Sequence, residues 1–433
     1  MTAGQITTNR RLPLFPIWIL LLVIGLGIGT VSGIHVLLNG LGVTNLSDQS
    51  PWGLWIVVDL SSIALGAGAF TLSAAVYLFG LKRFEAIARA AVFVGLLGYS
   101  SAMIALAMDI GRPDRFYHPL IYWNVHSVLW EITMCVVLYS TVLVLELVPI
   151  IIESTPLKKN RFLHAFGHNL HRVMPLVAVA GMGLSLLHQS SLGATYGILT
   201  ARPVWYSPSA PVLFILSAVA GGPALTLFLT LLAGFVLRKE MVPRDVVNGV
   251  AKLIGFACLA YLYLKLWSWA SQNYYSRLPE RELGIQLLNL NTPYGFTFWW
   301  GEVLLGAIVP AIIMLWPRLR NNRAVLMLGT MLVIAGLVIY RWNMTLSGFT
   351  VPLNWSPGVR EIAAINTYSP ALVEWGVAIG IVSYGWLAYT LGVRFLRLYP
   401  EARPLHQTAA ETSLPEAEHP QPPASHPQPA GTD

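Results

Sequence analysis

Residues Leu14–Leu38 read LFPIWILLLVIGLGIGTVSGIHVLL, and the charge-free stretch around them runs from Leu12 to Ser47. A second charge-free stretch runs from Val173 to Ala201. A helix in a soluble domain keeps one face polar toward water, and these segments keep none, so the chain is read as a polytopic membrane protein. The composition agrees: 55% of the 433 residues are hydrophobic and 11% are charged, too few to cover a soluble body of this size. Strands of a membrane barrel would alternate polar and apolar residues, and these segments do not.

Working outward gives ten spans: Leu14–Leu38, Trp55–Leu81, Ala88–Asp109, Asn124–Ile150, Val173–Leu192, Pro211–Leu237, Val246–Ser271, Thr292–Trp316, Ala324–Thr345 and Ala371–Leu396. Lys and Arg orient them. Both termini and the alternate loops on their side carry nineteen Lys and Arg. The opposite loops carry six: Arg112, Arg115, Arg202, Arg277, Arg281 and Arg360. This bias places both termini in the cytoplasm and the chain in the cytoplasmic (inner) membrane, embedded in the lipid bilayer. The net charge of +7 is then a topology signal, not a nucleic-acid stripe. The first span is too long for a signal-peptide core and is read as retained. Residues 1–13 form a cytoplasmic N-terminus and 14–396 the membrane domain. Residues 397–433, rich in Pro, Ala, Glu and His, are expected to be a disordered tail. Cys135 and Cys258 each lie in a hydrophobic span without a CxxC, so this chain is expected to hold no iron–sulfur cluster and no disulfide.

On this orientation the intramembrane ionisable residues gather in the outer half. They are His35, Asp59, Asp109, His126, Glu131, His188, Lys265, Glu302, Arg341 and Glu374, against Glu146 alone near the inner boundary. A charge at mid-bilayer costs about 3 kcal/mol on insertion scales, so a shared depth suggests a site. For His35, Asp109 and Glu374 the interface alone accounts for the position equally well. Helical spacing puts Asp59, Ser62 and Gly66 on one face, and likewise Asn124, Ser127 and Glu131, and Gly181, Ser185 and His188. Lys265 or Arg341 paired with a buried carboxylate would lower the insertion cost.

A quinone fits such a layer. Its reduction takes two electrons and two protons, and proton transfer needs His, Asp, Glu or Tyr within hydrogen-bond reach of the carbonyl oxygens. His126, Glu131, His188, Asp109 and Asp59 are the candidate proton-handling groups. Tyr99, three turns before Asp109, with Asn124, Gln189 and Ser190, would contact the ring. Two alternatives stay open: a proton- or ion-translocating subunit, whose ionisable residues would sit nearer the midplane, and a haem b subunit with two of His35, His126 and His188 as axial ligands.

Several segments resemble the NrfD/PsrC family of quinone-reactive membrane subunits. These are Pro51-Trp52-Gly53-Leu54-Trp55 with Asp59, Gly98-Tyr99-Ser100 followed by Asp109-Ile110-Gly111-Arg112, Asn124 to Glu131 (NVHSVLWE) and His188 to Gly193 (HQSSLG). Within the family the likeness is greatest to the HybB type, the membrane subunit of [NiFe] hydrogenases. It runs from about Trp52 to Gly193 and returns near Tyr368-Ser369-Pro370 and Glu374. The resemblance implies an all-α, haem-free, ten-helix body containing two four-helix bundles, at about 55–192 and 211–345, flanked by helices 14–38 and 371–396. It implies menaquinone or ubiquinone as the substrate. It also implies a ferredoxin-like iron–sulfur subunit docked on the outer face, with catalytic subunits such as a [NiFe] hydrogenase beyond it. Trp130-Glu131 and Gly301-Glu302, each in an inward-running helix, fit two parallel repeats. Because the second repeat offers Lys265 and Arg341 in place of acids and histidine, the quinone is expected in the first. The loops Ile110–Trp123, Ala194–Ala210 and Gln272–Asn291 are the expected docking surfaces.

Overall fold

The structure is a computed structural model, and it describes residues 14–154, 161–202, 204–275, 293–350, 368–399 and 402–404. Among the described residues, ten helices are long and apolar enough to cross a membrane. Numbered in chain order they are span 1 Phe15–Asn39, span 2 Leu54–Val76, span 3 Lys82–Asp109, span 4 Val128–Ser154, span 5 Arg172–Gly197, span 6 Ala210–Leu237, span 7 Arg244–Tyr274, span 8 Tyr294–Leu315, span 9 Arg323–Ser347 and span 10 Leu372–Phe395.

Spans 2, 3, 4 and 5 close a ring of neighbours, each packed on the next and 5 on 2, and spans 6, 7, 8 and 9 close a second. The rings meet where span 2 packs on spans 6 and 9 and span 5 packs on span 6. Span 1 lies on span 10, which leans on span 3. Little of span 1 is covered: Leu20, Leu21, Val23 and Val31 all face outward, as a lipid-facing helix requires.

Small residues set the closest approaches. A Cβ on Gly222 of span 6 would meet the backbone of Ala67 and Gly68 in span 2, and one on Gly306 of span 8 would meet Gly336 of span 9. Bare backbone lets these helices touch where lipid gives them no hydrophobic drive to associate.

Two spans depart from regular winding. Span 2, expected to be one unbroken helix, is interrupted at Ala67 between Leu54–Gly66 and Gly68–Tyr77. The break falls where span 2 is wedged between Gly98 of span 3 and Gly222 of span 6. Span 8 contains a twelve-residue π-helical run, Thr297–Ile308, with Glu302 in its middle. Pro310 follows it; proline lacks an N–H and crowds the carbonyl four residues before it, here that of Gly306. Wide turns of this kind concentrate at functional positions. Span 4 begins at Val128 and not at Asn124, because Asn124–Ser127 form a turn closed by Ser127 N–H donating to the Asn124 carbonyl.

The connectors gather at two ends. At one, Asn45 Nδ2 donates to the Ser369 carbonyl (2.8 Å), Arg202 Nη1 donates to the Gly348 carbonyl (3.2 Å), and Trp52 stacks on Trp205 at 5.9 Å. At the other, basic end, Arg323 pairs with Glu240 (3.3 Å), and the two-residue strand Lys239–Glu240 pairs with Arg403–Pro404. The chain beyond span 10 does not leave the body at once: Arg397 N–H donates to Ser154 Oγ at 2.8 Å and Leu398 is buried. Residues 1–13 and 405–433, which include the rest of the expected tail and N-terminus, lie outside the described residues, as do 276–292 of one expected docking loop.

Candidate functional site

Two polar clusters lie inside the helices, one in each ring. In the first, span 3 supplies Tyr99, span 4 Tyr139 and Glu131, and span 5 His188, Gln189 and Ser191. Tyr99 Oη lies 2.9 Å from His188 Nδ1 in a fully buried contact. The rings of Tyr99 and Tyr139 lie 4.7 Å apart between centroids. With Tyr99 as the donor the neutral imidazole's own proton sits on Nε2; with Nδ1–H donating to the phenol oxygen, Nε2 is an acceptor. Among the described residues that Nε2 has no hydrogen-bond partner, and neither has either polar atom of the Gln189 side chain, although both residues are fully buried. Buried polar atoms without partners cost about 1–3 kcal/mol each, so each marks a place where a polar group is wanted. Glu131, half-buried, accepts from Ser191 Oγ at 2.6 Å.

A chain of carboxylates leads from this cluster toward the aromatic end. Asp59 of span 2 is buried and lies within electrostatic reach of both Tyr99 and Asp109. Asp109, the last residue of span 3, has one oxygen without a partner among the described residues and lies within electrostatic reach of Glu374. Glu374, 1% exposed, fastens the segment entering span 2. It accepts from Asn45 N–H at 2.8 Å and from Tyr368 Oη, and its carbonyl accepts from Trp55 Nε1 at 3.2 Å. Tyr368 Oη also accepts from Leu54 N–H at 2.9 Å. Burial, and then the bond to Glu374, push the Tyr368 phenol well above its ordinary range, so it stays a donor.

Not every expected site residue joins the cluster. Tyr99, His188, Gln189 and Asp59 are buried around it, with Glu131 and Asp109 at its margin. His126 is exposed in the turn before span 4, its N–H donating to Asn124 Oδ1 at 3.3 Å, and Asn124 is exposed beside it. Ser190 Oγ donates to its own helix at Leu187. His35 is exposed and bonded to Asn39; neither His35 nor His126 has a recorded hydrogen bond or ring contact with His188. Sequence reasoning misses Tyr139, whose ring packs on Tyr99; it gives no signal beyond being one apolar-span residue among many.

In the second ring the ion pair is resolved. Lys265 of span 7 pairs with Glu302 of span 8 at 2.6 Å. Tyr261 Oη donates to the same Glu302 oxygen at 2.5 Å, and Asn343 Nδ2 of span 9 donates to the other at 3.3 Å. The Lys265 ammonium also lies 4.4 Å from the Tyr340 ring centroid, a cation–π contact. Arg341, fully buried, instead donates to Ser217 Oγ at 3.0 Å and lies 3.7 Å over the Phe214 ring. Among the described residues it has no carboxylate partner. A cavity of about 110 Å³ opens beside this cluster, with Lys265, Glu302, Tyr340, Asn343, Trp205 and Trp269 in its wall.

With this geometry in place, comparison with known proteins gives a consistent result. A family model described as "Polysulphide reductase, NrfD" matches residues 42–352. The chain is 36% identical to a "Menaquinone reductase, integral membrane subunit" of Nitratidesulfovibrio vulgaris, over 91% of this chain and 94% of that one. It is 25% identical to an "Hdr-like menaquinol oxidoreductase integral membrane subunit" of Archaeoglobus fulgidus, covering 85% and 90%. It is 28% identical to the "Probable Ni/Fe-hydrogenase 2 b-type cytochrome subunit" of Escherichia coli K12, covering 86% and 88%.

Proposed function

We propose, for a chain that belongs to the polysulphide reductase NrfD family and is a multi-pass integral membrane protein, that it is the quinone-reactive subunit of a respiratory oxidoreductase complex. Two relatives are named for menaquinone or menaquinol, which supports a quinone as the substrate here. The observation that supports the placement is the buried, unpartnered His188 Nε2 of the first ring, with the unpartnered Gln189 amide on the next residue and the Tyr99 bond to His188 Nδ1.

In this reading spans 2–5 form the first of two related four-helix bundles, and the ring of the quinone lies against His188 and Gln189. His188 Nε2–H and the Gln189 amide donate to the quinone oxygens and orient them. Reduction adds two electrons and two protons, giving the quinol; oxidation returns them. Electrons come from or go to an iron–sulfur partner at the aromatic end. The exposed aromatic run Phe116–Trp123 and the loop around Arg202 suit protein docking there. Protons pass by Asp59, Asp109 and Glu131, whose carboxyl groups stand between His188 and that end. The Lys/Arg bias makes the aromatic end the outer one, in a cytoplasmic membrane.

The test is turnover of quinol analogues by the purified complex with its own partners, next to this chain alone. Partner-dependent turnover is expected. A complex that moves electrons to an artificial acceptor but neither oxidises quinol nor reduces quinone contradicts the reading.

A further inference from the structure

Taking an ion pair out of water costs both ions their hydration, and the groups around them restore it only in part. Lys265 and Glu302 are not enclosed to the same degree. Glu302 is 2% exposed, and both its oxygens are engaged, one by Lys265 and Tyr261 and the other by Asn343. The Lys265 side chain keeps 16% of its surface, and its ammonium has three N–H groups for one carboxylate. As a rule, intramembrane Lys and Glu face a protein interior or a water-filled cavity. Lys265 has a cavity beside it, the one of about 110 Å³.

Trp205 and Ser207 of the connector between spans 5 and 6 line this cavity, with Gln272 and Ser347 near the ends of spans 7 and 9. All belong to the aromatic end. Lys265 lies about 13 Å in from that end of span 7 by helix rise. The polar lining both gives and takes. Ser268 Oγ accepts from Ser209 Oγ at 2.9 Å and from Gln272 Nε2 at 3.4 Å, and keeps its own proton to donate. Gln272 Oε1 and Ser347 Oγ can accept. Water is the ligand that donates to some of these and accepts from others without any fixed shape. One water needs about 10–15 Å³ on this measure, so the cavity has room for several. A smaller cavity of about 30 Å³ lies beyond the pair, with Ser217, Cys258 and Tyr261 in its wall, and Glu302 and Tyr340 border both.

We propose that the second ring holds an aqueous vestibule, a column of water that enters at the aromatic end and reaches the Lys265–Glu302 pair inside the membrane-spanning segment. Water takes the Lys265 N–H groups that Glu302 leaves free and hydrates the pair from that side. Glu302, Tyr261 and Asn343 form the floor. What separates the two aqueous phases in this ring is then the apolar packing of its inner half, where Leu227, Val250, Ile254 and Leu326 are buried together. The vestibule does not depend on which substrate the first ring takes.

Introduced cysteines test it. The full chain, in lipid nanodiscs, carries Ser347→Cys at the mouth, Ser268→Cys in the deeper wall, or Leu266→Cys, and is treated with a permanently charged methanethiosulfonate. Leu266, next to Lys265 in the chain, is 62% exposed on the outside of the ring and faces lipid. Cys135 and Cys258 are buried, and the unsubstituted chain gives their background. Exchange of serine for cysteine replaces one atom, and thermal unfolding shows that each variant is folded. Ser268→Cys and Ser347→Cys should react about a hundredfold faster than Leu266→Cys, because a fixed charge enters water freely and hydrocarbon at a cost. Reaction at Ser347→Cys alone, or at neither serine position, would keep water from the pair and overturn the proposal. So would a Ser268→Cys that a neutral maleimide labels and the charged reagent does not, since the cavity would then be fed from lipid. Equal rates at Ser268→Cys and Leu266→Cys would overturn it as well.

Discussion

The two rings of helices hold similar residue types at similar places and spend them differently. In the second ring the carboxylate is buried and saturated: Glu302 has a cation, a phenol and an amide on its two oxygens. In the first ring the carboxyls are loosely held. Glu131 has one recorded partner, the Ser191 hydroxyl, and Asp109 keeps a bare oxygen, while His188 and Gln189 keep unused polar atoms in full burial. A saturated charge is locked in one protonation state by its partners. An unsaturated one can gain or lose a proton as a substrate arrives. The contrast supports the proposal of proton chemistry in the first ring.

The largest expected effect tests the saturated side. Glu302→Ala strands Lys265 in a largely buried place without its counter-charge and should cost about 3–5 kcal/mol, the range for breaking a buried pair. Glu131→Ala should cost only about 1 kcal/mol, one ordinary hydrogen bond. Thermal unfolding of both variants in one detergent measures the difference; equal losses would erase the contrast. Gly222→Ala tests the seam between the rings. Its Cβ meets the backbone of span 2, and overpacking of this kind costs about 1–3 kcal/mol. The same melts would show it, and no change would mean the rings are not pressed together there.

Tyr99→Phe sharpens the unsaturated side. It removes the hydroxyl bonded to His188 Nδ1, and quinol turnover should fall about five- to tenfold, with a stability loss of about 1–3 kcal/mol for the buried ring nitrogen left bare. An unchanged rate would remove the Tyr99–His188 bond from the reacting site. The smallest effect is expected at the clamp near span 2. Tyr368→Phe removes the hydroxyl that joins Glu374 to Leu54 N–H and should cost about 1 kcal/mol, read as a lower unfolding midpoint. A loss several times larger would mean that the clamp, and not the helix packing, holds the entry to span 2.

Much of the scaffold was legible in the sequence because a bilayer enforces a simple rule. A spanning segment must be long and apolar, and all ten such segments are present as helices. Their interruptions were not legible. Ala67 looks like any other small residue in span 2, and the break falls where Gly98 and Gly222 approach span 2 from two sides. The turn before span 4 was hidden for another reason. Asn124 to Ser127 fits the polar stripe of a helix, so His126 was placed with the buried groups, whereas a local bond closes a turn and leaves it exposed. For Glu374 the interface explains the position equally well in sequence, yet besides its near neighbour Tyr368 it holds Asn45 and Trp55, which only the fold brings to it. The same limit applies to Lys265. Its need for a buried carboxylate followed from solvation cost, but the choice of Glu302 is made by how spans 7 and 8 pack.

The measurement that bears most directly on the account is quinol turnover by the intact complex carrying His188→Gln. The amide keeps the size and polarity of the site but cannot take up and release a proton. With folding and partner assembly verified, turnover should fall by about a hundredfold, the lower range for loss of a general acid–base group. A rate within about twofold of the unmodified complex would be no more than an ordinary surface substitution produces, and would contradict the assignment of the reacting quinone to the first ring.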